Sequence, residues 1–249
     1  MEETPMKRNT VLITGASRGI GRAAAAAFAE NGYDLVLNCL HSASELELFS
    51  NDLKKRFPIR TLCCYGDIGD ADFVRAMFHQ TADFCGGIDI LINNAGISHI
   101  GLLSDMTYEE WEAILHTNLT SVFLCCKYAI PYMVSQKSGK IINISSDWGL
   151  YGASCETAYS ATKGGVNAFT KALAKELAPS NIQVNAIAYG VIDTDMNAGL
   201  TAEEQERLKE EIPAGYFAKP TEAARFLYQL AQAPNYLTGQ VISFDGGWI

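Results

Sequence analysis

The chain has 249 residues, 48% of them hydrophobic and 19% charged, with a formal net charge of −9. That length fits one large α/β domain or two small ones, and the apolar share is enough for a sizeable core. The acidic balance excludes nucleic acid and anionic membrane surfaces as general partners, since both are held by clustered Lys and Arg.

Residues 1–10, MEETPMKRNT, lead straight into the apolar run Val11-Leu12-Ile13 without the long apolar core of a secretory leader. No stretch reaches the ~18 uninterrupted apolar residues of a membrane helix. Seven cysteines, at 39, 63, 64, 85, 125, 126 and 155, are odd in number and form no Cys-x-x-Cys pair. Reduced, buried thiols in a cytoplasmic protein are the expectation.

The first apolar run, residues 11–14, reads as a strand. It meets Thr14-Gly15-Ala16-Ser17-Arg18-Gly19-Ile20-Gly21, then an Ala-rich helix over 22–30 that Asn31-Gly32 ends. Glycines there allow a tight turn and bring backbone N–H groups against a pyrophosphate at the helix N-terminus, so a dinucleotide site is expected. Further strands at 35–38, 61–65, 88–93, 140–145, 182–188 and 241–244 alternate with helical patterns, two of which stop at Phe57-Pro58 and Ala178-Pro179. Such alternation implies a parallel sheet. In the helix after residue 155, Ala161, Gly165, Ala168, Phe169, Ala172 and Leu173 share one small apolar face that another helix could approach closely. No repeat or low-complexity linker divides the chain. One domain over residues 1–249 is expected, with about 195–215 a helical excursion covering a substrate cleft.

Tyr159 stands four residues before Lys163, one helical turn away on the same face. A free tyrosine ionises near ~10, and an adjacent ammonium lowers that by roughly 1 to 3 units, which makes the phenol usable in proton transfer. Thr14-Gly-x-x-x-Gly-Ile-Gly21, Asn93-Asn-Ala-Gly96 and Tyr159-x-x-x-Lys163 together resemble the short-chain dehydrogenase/reductase family, and the resemblance runs from residue 11 to Asp245-Gly246-Gly247. It implies a Rossmann-type α/β fold: a doubly wound, seven-stranded parallel sheet in order 3-2-1-4-5-6-7 with helices on both faces. It also implies a catalytic set of Asn118, Ser146, Tyr159 and Lys163, in which Tyr159 protonates a ketone oxygen, Ser146 holds that oxygen and Asn118 supports a proton relay.

The cofactor residues implied are Gly15, Ser17, Arg18, Gly19, Ile20 and Gly21 in the first turn, Asn38 after the second strand, and Asp67 and Ile68 after the third. Asn94, Ala95 and Gly96 follow the fourth strand, Ile192 and Thr194 follow the sixth, and Tyr159 and Lys163 reach the nicotinamide ribose. An acid about 20 residues past the glycines would favour NADH. Asn38-Cys39-Leu40-His41 offers none, and Arg18 can reach a 2′-phosphate, so NADPH is expected. The four histidines, 41, 79, 99 and 116, have no metal-ligand spacing. Family members usually carry Pro-Gly after the sixth strand. Tyr189-Gly190 here should loosen that turn unless Tyr189 packs to compensate.

Val184-Asn-Ala-Ile-Ala, Thr194-Asp-Met196 and Leu237-Thr-Gly-Gln240 most resemble the 3-oxoacyl-acyl-carrier-protein reductases, which implies a substrate on an acidic carrier protein and a basic landing patch. Lys127, Lys137 and Lys140 are the candidates for it. Ser145-Ser-Asp-Trp148-Gly-Leu-Tyr151-Gly-Ala-Ser-Cys155-Glu156 is similar instead to a bacterial subgroup that reduces a 5-aminopentanone on a lysine of elongation factor P, whose amine Glu156 could meet. Trp148, Leu150, Tyr151 and His99 would shape the pocket. A non-catalytic NADPH-binding regulator on the same fold is a third reading. The small face at Gly164-Gly165, with the family's habit, predicts a homotetramer or homodimer.

Overall fold

Alternate residues of each strand point to opposite faces of the sheet, and the two sets enter different cores. In the computed structural model, which describes residues 8–249, Val11 and Ile13 of β1 (Thr10–Ile13) pack with Leu35 and Leu37 of β2 (Asp34–Cys39). Leu12 and Val36, between them, face the other side. The expected leaderless N-terminus, residues 1–7, lies outside the described residues. Both strands are buried throughout, as parallel strands covered on two faces must be.

The remaining strands are β3 (Thr61–Tyr65), β4 (Ile90–Asn93), β5 (Gly139–Ser146), β6 (Ile182–Tyr189) and β7 (Val241–Phe244). All pair in parallel, in the order 3-2-1-4-5-6-7 expected from the resemblance. On one face lie α1 (Gly19–Glu30), α2 (Ala43–Arg56) and α9 (Pro220–Ala231), which contribute Phe28, Leu46, Leu53 and Leu227 to the first core. On the other lie α3 (Ala71–Cys85), α5 (Ser121–Gln136) and α7 (Thr157–Leu177), which contribute Phe78, Met133, Val166 and Leu173. Burying each such side chain is worth about 1.5 to 3 kcal/mol.

Local chemistry sets the ends of these elements. The Asp70 carboxylate caps α3 by accepting from the Phe73 N–H at 2.8 Å, and Gly86 closes it in the left-handed region at φ 76°. Asn31 and Gly32 end α1 as expected. Thr107 and Glu110 form a capping box at the start of α4 (Tyr108–Leu115), and Thr201 and Glu204 form another on α8 (Ala202–Glu211). The 195–215 excursion thus resolves into a short 3-10 turn, Asp195–Asn197, followed by α8. All seven cysteines are free thiols, and burial pushes Cys64 and Cys126 up to about 12.

Gly164 and Gly165 are partly buried within the chain. A side chain at Gly165 would meet Leu119 at 3.2 Å, and one at Gly164 would meet the Gly149 carbonyl at 3.4 Å, so both glycines admit parts of the same chain. The outward residues of α7 include Ala161, Ala168 and Ala172 beside Thr157, Lys171, Lys175 and Glu176, while its buried face carries Tyr159, Thr162, Lys163, Val166, Asn167 and Thr170. Polar side chains occupy that buried face because they line the site, while Ala161, Ala168 and Ala172 of the small apolar face are exposed. Lys137 caps the end of α5 and Lys140 stands at the start of β5, whereas Ser146 ends that strand, so roughly 20 Å of strand separates Lys140 from the reacting centre. Lys140 Nζ is moreover bound to the Ala233 carbonyl.

Candidate active site

β5 runs three residues beyond Asn143, the register partner of Asn93, and so lifts Ser146 above the neighbouring strand end. Ser145 and Ser146 face opposite ways. Ser145 Oγ donates to the Lys163 carbonyl at 3.4 Å beneath the site, and Ser146 Oγ accepts from the Trp148 N–H at 3.2 Å. Tyr159 is 8% exposed. Burial, opposed by the Ser146 hydroxyl and assisted by the charge of Glu156, pushes the phenol up to about 12.

Lys163 is 4% exposed, and its Nζ donates to the Ile144 carbonyl at 2.7 Å and sits 5.6 Å from the Tyr159 ring centre. Burial lowers it to about 8. Among the described residues no carboxylate lies within 4.0 Å of it, so its charge is free to act on the phenol and on a ligand.

Asn118 sits in a five-residue π turn, His116–Thr120, that joins α4 to α5. The turn has a physical cause: the side chain exchanges two 2.8 Å hydrogen bonds with the Ile97 backbone and donates a third to Thr162 Oγ1 at 3.3 Å. Such bulges tend to occur at functional sites because they re-aim one side chain. A side chain on Gly96 would lie 3.3 Å from Asn118 Oδ1 and 3.5 Å from Lys163 Nζ, so Gly96 borders both groups.

The first turn forms a cradle. Gly15 has φ 64°, and a side chain there would meet Ala95 Cα at 2.9 Å, so Gly15 and Ala95 are in direct contact. Thr14 Oγ1 accepts from the Asn94 and Ala95 N–H groups, and Asn94 Nδ2 donates to the carbonyls of Thr14 and Gly15. Gly19, at φ 53°, faces Thr194, and Ile192 is held by a bridge to Ala218. No side chain caps α1 and no acid stands in its first turn, so its free N–H groups present positive potential to an anion. These residues fit a pyrophosphate.

Three expected cofactor residues are otherwise engaged. Arg18 is exposed and pairs with Asp195 at 3.6 Å. Asn38 is 2% exposed, with Nδ2 donating to the Cys64 and Gly66 carbonyls. Asp67 accepts from the Gly69 N–H and bonds His116 at 3.0 Å, while its neighbour Ile68 is buried. Asn93 is a structural residue, bonded to Asn143 inside the sheet at 2.8 Å. Ser17 lies in the cradle turn, its carbonyl accepting from Arg22, and Ile20 lies in the first turn of α1.

Sequence reasoning missed Ser98, Asp147 and Trp248. Ser98 Oγ donates to Glu156 Oε2 at 2.6 Å, and Trp148 Nε1 donates to Glu156 Oε1 at 3.0 Å. Trp248 packs on Trp148 with ring centres 4.9 Å apart. Asp147 is 1% exposed with neither carboxylate oxygen partnered. Burial and the Asp245 charge push it up to about 7. Only its place beside Ser146 could have drawn attention to it. The Tyr189 departure is compensated: its ring is buried against Phe244 and its hydroxyl donates to the Ala223 carbonyl at 2.8 Å.

Residues 9–205 match the family model for short chain dehydrogenase. The chain belongs to that family. It is 40% identical over 239 residues to 3-oxoacyl-[acyl-carrier-protein] reductase FabG of Staphylococcus aureus, covering 96% of this chain and 97% of the relative. It is 37% identical over 240 residues to the oxidoreductase YmfI of Bacillus subtilis, covering 96% and 98%. Among solved structures, YwfH, an NADPH-dependent reductase involved in bacilysin biosynthesis, superposes with a TM-score of 0.91 at 26% identity, covering 97% of this chain and 98% of that one. This short-chain dehydrogenase is accordingly an oxidoreductase acting at a CH–OH/C=O centre.

Proposed function

We propose that the chain is an NADPH-dependent reductase that converts a ketone to a secondary alcohol. The carrying observation is the buried Tyr159 phenol with Ser146 on one side and the uncompensated Lys163 ammonium on the other. NADPH held by the glycine cradle would supply the hydride, and Arg18 would meet its 2′-phosphate. Ser146 orients the ketone oxygen, Tyr159 donates the proton, and Lys163 stabilises the phenolate left behind. Asn118, tied to Ile97, holds the floor of the site next to Lys163. Residues 8–249 would act as one catalytic domain with α8 over the cleft, and the exposed Ala161, Ala168 and Ala172 would lie in a dimer or tetramer contact.

Two protein-borne ketones divide the substrate reading. The relatives named FabG support a 3-oxoacyl group on acyl carrier protein. A 5-aminopentanone on elongation factor P accounts for more of this chain's own residues: two of the three candidate landing lysines are remote from the site, and the third, Lys127, lies against the rings of Phe123 and Tyr128. Glu156, half-buried and held by Ser98 and Trp148, suits an amine.

The test is to follow NADPH absorbance with an acetoacetyl thioester and, separately, with elongation factor P carrying the ketone. Preference for the thioester selects the first reading, and preference for the factor selects the second. Tight NADPH binding with no turnover of any ketone would return the chain to a non-catalytic role.

A further inference from the structure

Ser146 is held by a helix too short to place itself. α6 (Trp148–Tyr151) is four residues long and none of them is fully buried, so it has neither the length nor the core contact that would make it stable alone. Its Trp148 N–H nevertheless donates to Ser146 Oγ at 3.2 Å. A serine hydroxyl has one proton to give, and an oxygen that already accepts a hydrogen bond gives that proton more readily. The position of Trp148 therefore governs how the Ser146 proton is aimed.

Two parts of the chain hold α6. The first is α7: a side chain on Gly149 would meet the Lys163 backbone at 2.6 Å, Asn167 Nδ2 donates to the Gly149 carbonyl at 3.0 Å, and the Trp148 indole N–H donates to Glu156. The second is the tail that follows β7, whose Trp248 ring lies 4.9 Å from that of Trp148, centre to centre. That tail is itself fixed. Asp245 accepts from the N–H groups of Gly247 and Ile249 at 3.0 and 3.2 Å, and Gly246 and Gly247 take φ values of 73° and 82°. The Ala214 N–H donates to the Gly246 carbonyl at 3.1 Å, and a side chain on Gly246 would meet Ile212 at 2.9 Å, which ties the tail to the loop that leaves α8.

We propose that Trp248 is a positioning residue: by packing on Trp148 it fixes α6, and through the Trp148 N–H it aims the Ser146 hydroxyl at the ketone oxygen. The inference rests on the reading of Ser146 and Tyr159 as the pair that meets that oxygen. Without the Trp248 ring the short helix keeps only its α7 contacts, and the serine hydroxyl is free to turn. The strap from Ala214 through Gly246 to Trp248 also connects the end of α8 to the serine.

The test is a double-mutant cycle on the full chain, read as NADPH oxidation with an acetoacetyl thioester and with elongation factor P carrying the ketone. Trp248→Ala is expected to lower kcat by about tenfold, while KM for the ketone and NADPH affinity stay within about twofold. Trp248→Phe keeps a ring on Trp148 and should restore kcat to within about threefold of wild type. In the Ser146→Ala background the same Trp248→Ala change should cost less than about twofold, since the group it positions is gone. A kcat unchanged by Trp248→Ala, or a loss of equal size with and without the Ser146 hydroxyl, overturns the inference and leaves the reductase reading intact. Full activity of Ser146→Ala alone, or turnover of neither ketone by wild type, would instead defeat the reductase reading and this inference with it.

Discussion

The Lys163 ammonium stands 5.6 Å from the centre of the Tyr159 ring while donating a hydrogen bond to the Ile144 carbonyl at 2.7 Å. One contact aims the charge and the other leaves it available. Because burial holds Lys163 near 8, the ammonium is present at neutral pH and disappears as pH rises through about 8. The kcat/KM for ketone reduction is expected to be level below about pH 7 and to fall above 8. Lys163→Met should lower it by about 10² to 10⁴ and remove that limb, and Tyr159→Phe should cost at least as much. A wild-type profile flat to pH 10 would refute the role given to this pair.

The Asn118 side chain and the Ile97 backbone form a closed pair of hydrogen bonds. Asn118→Leu strands both Ile97 groups, at a cost of about 1 to 3 kcal/mol each if they stay dry. Calorimetry should show a lower Tm, and kcat should fall more than KM rises. An unchanged kcat would reduce the π turn to scaffold.

Arg18 and Asp195 are both exposed, so their ion pair is weak and readily exchanged. Arg18→Ala is expected to weaken NADPH binding by about tenfold and NADH binding little. Asp195→Asn should tighten NADPH by freeing the guanidinium. Fluorescence titration with both cofactors checks this, and equal losses for the two would transfer phosphate selection to another residue.

Asp147 makes a stability prediction. Its carboxyl ionises near ~4 in the unfolded chain and about 7 in the folded one, so the folded state binds the proton more tightly. The stability this brings is complete below about pH 4 and is lost as pH rises to 7. Asp147→Asn should therefore raise stability at pH 8 by about 1 to 3 kcal/mol, with the gain fading toward pH 4. Urea unfolding at the two values decides it, and a gain independent of pH would point to packing instead.

Tyr189 occupies core volume as well as a turn. Tyr189→Phe should cost about 1 kcal/mol by removing the hydroxyl's bond to the Ala223 carbonyl, and Tyr189→Ala about 3 to 5 by opening a cavity. Cofactor affinity in the phenylalanine variant should match wild type within about twofold. A large loss there would give the hydroxyl a direct role in the site.

The sequence by itself determined the sheet, its parallel sense, the glycine cradle and the Tyr159-Lys163 spacing. Each depends on short-range periodicity or on a turn that only particular residues can make, and Gly15, Asn31-Gly32 and the alternation of Val11, Leu12 and Ile13 carry it locally. Tertiary structure alone decided which face of α7 is inward, that Lys137 and Lys140 stand at the wrong end of β5, and that Ser98 and Trp148 converge on Glu156. Those relations join residues far apart in the chain, such as Ser98 with Glu156 and Asp147 with Asp245. Their energies depend on burial and on the sign of nearby charge, which no linear pattern encodes.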